Sequence, residues 1–187
     1  MVNQLPGNYK TSIYLDTHAV ETKDVLILEI VLPVLAFLIP LLISGPQWLT
    51  GTLVNSFLFL TAASTKKTKL MIVVLPSVAA LTHGLLFGKF TPFLFYFLPF
   101  IWAGNFILIS SFSTLKKTRP YPVAVLFSSL FKFFAIYLSA LFYFQFHIVP
   151  KLFLSSMGLV QLTTAIIGGT LAAFILKFIN ICHEWGK

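Results

Sequence analysis

The sequence predicts an all-α polytopic membrane protein, with six transmembrane helices in one bundle and both termini cytoplasmic. Three observations carry this. Of the 187 residues 58% are apolar and only 10% are charged, against roughly 25% charged in a soluble domain. The apolar residues run almost unbroken from Val25 to Ile181. Two short basic runs punctuate them: Lys66, Lys67 and Lys69, then Lys116, Lys117 and Arg119. The stretch 70–115 between the runs is long enough for two helical crossings of about 20 residues each. Both runs therefore return to the same side, and Lys and Arg in short loops mark the cytoplasm.

The spans follow in order. The first is Val25–Ser44 and the second Trp48–Ser64. The second is short, and the string Ser44-Gly45-Pro46-Gln47-Trp48 before it reads as a re-entrant entry or the start of an upright helix. The third is Leu70–Phe87, the fourth Pro92–Phe112 and the fifth Val123–Phe146. The sixth, Leu152–Ile179, is long enough to require tilt. Residues 1–24 form a polar cytoplasmic tail, 25–181 the transmembrane domain and 182–187 a second tail. Lys10, Lys23, Lys177 and Lys187 join the two runs on the inside, leaving Lys89 and Lys151 for the outer loops. The net charge of +8 is thus a topology signal and a means of holding anionic lipid headgroups, not a nucleic-acid footprint.

Prolines at 33, 40, 76 and 99 fall inside spans. Each removes a backbone donor and bends its helix, and the freed carbonyls need partners. Small residues recur at spacing four on the sixth span, as Ala165, Gly169, Ala173 and as Thr164, Gly168, Ala172. Such stripes allow helix backbones to approach closely. Ala80, Gly84 and Gly88 repeat the pattern on the third span.

Enzymatic chemistry has no foothold here, and the chain reads as a non-enzyme with no cofactor. Cys182 is the single cysteine, too few for a disulfide, an iron–sulfur cluster or a CxxC pair. His18, His83, His147 and His183 have no metal-ligand spacing, the serines lack a nucleophile context, and no Gly-rich phosphate loop occurs.

Polar residues at membrane depth are functional suspects. Lys132 lies near the middle of the fifth span. It is read either as a structural partner of Glu29, as a snorkelling side chain, or as a contact for an anionic group. Thr52 and Asn55 share a face of the second span, Trp102 and Asn105 a face of the fourth, and Gln161 and Thr164 a face of the sixth. With Trp48 and His83, these aim amides, hydroxyls and indoles at similar depths in the outer half. The candidate ligand-binding set is Trp48, Thr52, Asn55, His83, Trp102, Asn105, Lys132 and Gln161, and it suits a small polar or heteroaromatic molecule. The competing reading is interhelical hydrogen bonding in a membrane scaffold or assembly protein.

Six short helices in under 200 residues, both termini inside, no ATPase loop and an outer-half polar pocket resemble the S component of an energy-coupling factor (ECF) transporter. The resemblance implies a bacterial inner-membrane subunit that captures a vitamin-like substrate. It also implies a transmembrane T component and two cytoplasmic ATPases as partners. The strings Gly45-Pro46-Gln47-Trp48-Leu49-Thr50-Gly51-Thr52 and Phe90-Thr91-Pro92-Phe93 also resemble a group of small bacterial membrane proteins, some labelled as hydrogenases. One cysteine cannot ligate the clusters that label requires. S components often carry Ala-x-x-x-Ala on the first helix for docking, whereas Ala36 here stands alone between Pro33 and Pro40.

Overall fold

The computed structural model describes residues 22–43, 46–64, 69–87 and 91–185. It is a helical bundle: α1 Thr22–Leu42, α2 Gln47–Ser64, α3 Lys69–Phe87, α4 Thr91–Leu115, α5 Tyr121–Gln145, α6 Leu152–Met157 and α7 Leu159–Trp185. The segments 93–115, 121–145 and 152–179 are each long and apolar enough to cross a membrane, and α1 and α3 contribute shorter apolar stretches. Most of the N-terminal tail, Lys66, Lys67 and Lys89 lie outside the described residues. α7 stays helical to Trp185, into the segment expected as a C-terminal tail.

Local chemistry sets the boundaries. Pro120 caps α5 and Pro122 occupies its first turn, where a missing N–H costs nothing. At the other end His147 takes a left-handed backbone, φ 57°. His147 N–H then donates to Phe144 O at 3.0 Å and Ile148 N–H to Tyr143 O at 3.0 Å, the reciprocal pattern that closes a helix C-terminus. The expected sixth span is divided into α6 and α7 by Gly158, whose backbone leaves the helical region at φ −103°, ψ −109°.

α2 is the central element. It packs against α7, α1, α4 and α3, and everything from Asn55 to Ala62 is buried. The small-residue stripe of α7 is the reason α2 fits. A Cβ on Gly168 would lie 2.7 Å from Thr52 O and 2.8 Å from Ser56 N, so the two backbones touch there. Beside it Gly169 faces Val125 of α5 and Phe59 of α2, and Tyr121 Oη donates to Gly169 O at 3.0 Å.

Two apolar clusters fill the bundle. One lies toward the end bearing Lys116 and Arg119, with Phe57–Leu60, Ile72, Leu108 and Phe112 at its centre. There Phe59 and Phe112 meet edge to face at 5.0 Å. The other lies toward the opposite end, around Phe97, Ile136, Phe153 and Met157. The outer surface is also apolar: Leu42, Leu70, Phe106, Leu138, Phe142 and Phe174 are among its exposed large side chains. A contiguous apolar exterior of this extent matches a hydrocarbon solvent, not water.

Candidate functional site

The second turn of α2 begins a polar interior. Asn55 is 1% exposed and its amide is committed at both ends. Asn55 Nδ2 donates to Thr164 Oγ1 on α7 at 3.1 Å. Asn55 Oδ1 accepts from Lys132 Nζ on α5 at 2.6 Å. Thr164 Oγ1 passes its own proton to Val160 O at 2.7 Å. A chain of donors and acceptors thus links α5, α2 and α7 at mid-depth, and it fixes which way the Asn55 amide faces.

Lys132 is 3% exposed. The expected alternative of a Glu29–Lys132 pair is not formed. Lys132 is on α5, whereas Glu29 is on α1, which packs on α3 and α2. The hydrogen bond of its ammonium goes to an amide oxygen. Snorkelling is excluded by the same burial.

A second polar cluster surrounds the proline turn of α3. Pro76 lacks an N–H, which weakens the α3 ladder one turn back. Asn105 Nδ2, from α4, donates to Val73 O in that turn at 3.1 Å. Ser77 Oγ donates to Val74 O at 2.8 Å and accepts from Trp102 Nε1 at 2.6 Å. Two carbonyls in the turn before the proline thus receive a side-chain donor, Val73 O from Asn105 of α4 and Val74 O from Ser77 of α3 itself. Asn105 is 2% exposed, and its Oδ1 is buried with no hydrogen-bond partner.

The two clusters face each other across a cavity of about 560 Å³, within the range that holds a small ligand. Its walls come from the end of α1 (Pro40, Ile43), the start of α2, the later half of α3, the first half of α4, α5 at Lys132, α6 and the start of α7. The helix directions place it at the end opposite Lys116 and Arg119. The walls are largely apolar, with Val54, Leu94, Ile101, Phe153 and Met157 among them. Set into them are Asn55, His83, Asn105, Lys132 and Gln161, and among the described residues no acidic side chain lines the space. His83 Nδ1 sits 2.9 Å from Leu41 O. A carbonyl only accepts, so the ring carries its proton on Nδ1 and satisfies one of the open carbonyls at the end of α1.

Five of the eight candidate residues thus converge and three stand apart. Trp48 is 61% exposed on the exterior of α2. Thr52 is buried and donates back to Trp48 O at 2.7 Å. Trp102 reaches the cavity wall only through Ser77. No indole lines the cavity, so the expected stacking of a ring on tryptophan has no surface there. Sequence reasoning missed Ser77 and Ser156, which do line it. The position of Ser77 directly after an intraspan proline was a usable signal. Ser156 carried no such signal, because the helix break at Gly158 is not marked in the sequence. Gln47, at the mouth, donates from Nε2 to Ser156 O at 3.1 Å and ties α2 to α6.

The fold and site together define an all-helical protein, with helices of membrane-spanning length around a buried, polar-floored cavity. Compared with known proteins, the chain matches no family model, no curated protein and no solved structure.

Proposed function

We propose that the protein is a substrate-binding integral membrane subunit of a small-molecule uptake transporter. In this reading the chain crosses the bilayer six times, with the helix pair α6–α7 as one crossing and both termini cytoplasmic. The basic bias of the loops supports the orientation. The cavity then opens to the outside, and the packed Phe59, Phe112 and Ile72 layer closes the cytoplasmic side. No nucleotide-binding loop is present, so energy comes from partner ATPases through a transmembrane coupling subunit, as the resemblance to ECF S components implies. The observation that carries the proposal is the convergence of Asn55, Asn105, Lys132 and Gln161, from α2, α4, α5 and α7, on one cavity. The amides suit a small polar molecule, and the lack of an indole in the lining removes the argument for a heteroaromatic one.

The test is native mass spectrometry of the full-length protein released from mild detergent. A retained small molecule, lost in Asn55→Ala and Gln161→Ala, is the expected result. A protein that arrives empty and binds nothing, yet co-isolates with a larger membrane complex, would replace transport with the scaffold reading.

A further inference from the structure

The charge of the cavity floor is one-sided. Among the described residues Lys132 is the cation lining it, and no Asp or Glu lines it. The whole sequence holds five acidic residues, and Glu29 is the one inside the apolar stretch, on a helix that packs on α2 and α3. An ammonium has three donors, and the one contact that Lys132 makes among the described residues is to Asn55 Oδ1. A buried cation held by an amide oxygen alone lacks the opposite charge that ordinarily offsets its desolvation.

The opposite wall offers a complementary vacancy of the other sign. Asn105 Oδ1 is a buried acceptor without a donor. Its amide cannot turn over to change this. Nδ2 is held by Val73 O at 3.1 Å, and a flipped amide would press oxygen against oxygen. The cavity therefore has unused N–H donors on a cation at one wall, while a fixed, unpaired acceptor lies buried beneath the surface of another.

We infer that the cavity takes a small organic acid, with its carboxylate on Lys132 Nζ. This rests on the small-molecule reading above and names the class of substrate. A single negative charge matches a single cation. A phosphate dianion would bury an excess charge, and a cationic ligand would meet Lys132 with like charge. The body of the acid lies against Val54, Ile101 and Phe153. Binding thus supplies the counter-ion that the fold leaves out, and the acid is recognised by its charge.

The experiment uses the detergent-solubilised full chain and a defined mixture of hydroxy- and amino-substituted monocarboxylic acids, each paired with its primary amide. Bound members are read by equilibrium dialysis and mass spectrometry. The expected result is an enrichment of acids over their amides of at least about tenfold, the effect of a buried charge-assisted hydrogen bond. Lys132→Gln should reduce that preference to near unity, and Lys132→Arg should keep it. The wild-type acid-to-amide ratio is decisive by itself, should either variant fail to fold. Amides bound as well as acids, or a preference that survives Lys132→Gln, would overturn the inference and leave the binding reading intact. If no acid and no amide binds, the binding reading itself falls.

Discussion

Substituting Gly168 by alanine adds one methyl group where the structure has no room for it. The new Cβ would sit 2.7 Å from Thr52 O, 2.8 Å from Asn55 Cβ and 2.8 Å from Ser56 N. Ordinary contact begins near 3.4 Å, so α7 must retreat from α2 by about 0.7 Å, since dispersion turns steeply repulsive at shorter range. Two of the three obstacles are backbone atoms and cannot swing aside. Overpacking of this kind costs about 1–3 kcal/mol, and the rigid neighbours argue for the upper half of that range. About 2 kcal/mol is roughly a thirtyfold change in the folding equilibrium. For a chain of this size it corresponds to a fall of about 4–8 °C in Tm. Gly169→Ala is the companion test. Its Cβ would meet Val125 Cγ1 at 2.5 Å, Val125 Cγ2 at 3.0 Å and Phe59 Cε2 at 3.0 Å, buried side chains with a stiff valine among them, so it too should lower Tm. Thermal unfolding in detergent, followed by tryptophan fluorescence, reads both. The shift also carries Thr164 away from Asn55, so ligand affinity should fall with stability in Gly168→Ala. An unchanged Tm for Gly168→Ala would refute the close-packed α2–α7 interface.

The other expectations are briefer. Gly169→Leu, far bulkier than alanine, should lower Tm further than Gly169→Ala, again by fluorescence in detergent. Gln161→Ala should weaken ligand binding by about tenfold to a hundredfold with little effect on folding, the cost of one lost amide partner in a dry pocket. Asn55→Ala should weaken binding equally but also lower Tm, because it strips Lys132 and Thr164 of their shared partner. Reporter fusions after Lys67, Lys117 and Lys187 should all read cytoplasmic, and an external signal at any one defeats the six-crossing orientation. Lys116 is half-buried, and burial, with Lys69 and Lys117 nearby, lowers its pKa from 10.5 to about 8. Between those values the unfolded chain binds more protons than the folded one, so stability should rise as pH is raised from about 8 to 10. Lys116→Gln should flatten that rise in a Tm-against-pH series.

Much of the architecture was legible because apolar length and loop charge are one-dimensional signals. The stretches 93–115, 121–145 and 152–179 are long apolar runs, and prolines 33, 40, 76 and 99 fall inside helices as expected. The division at Gly158 was hidden because one glycine in an apolar run of that length looks like any other membrane glycine. The candidate site was legible in part. Asn55, Asn105 and Gln161 are amides in apolar surroundings, and such groups turn inward whatever the fold. The tryptophans misled because an indole is as much at home on an exterior surface as in a pocket, and sequence spacing alone does not separate the two. The partner of Lys132 was misread for a related reason. Opposite charge suggested Glu29, but the pairing of helices decides which side chains meet, and α1 and α5 are not principal neighbours.

In the six-crossing reading proposed above, the position of α2 has a consequence for how the chain enters the bilayer. The helix at the centre of the bundle carries Thr52, Asn55, Ser56 and Thr61 among its buried residues, and it is absent from the helices apolar enough to partition by themselves. Its polar groups are sheltered by α7 and α5, which are synthesised last. As the ribosome delivers the segments one by one, α2 meets hydrocarbon well before Thr164 and Lys132 exist to receive Asn55. Each polar side chain near a helix centre raises the insertion cost. Biogenesis must therefore hold α2 beside α1 and α3, or in the shelter of the insertion machinery, until the final helix arrives. The assembly of this protein is completed from its C-terminus inward, and a chain truncated before α7 would lose its core along with its last crossing.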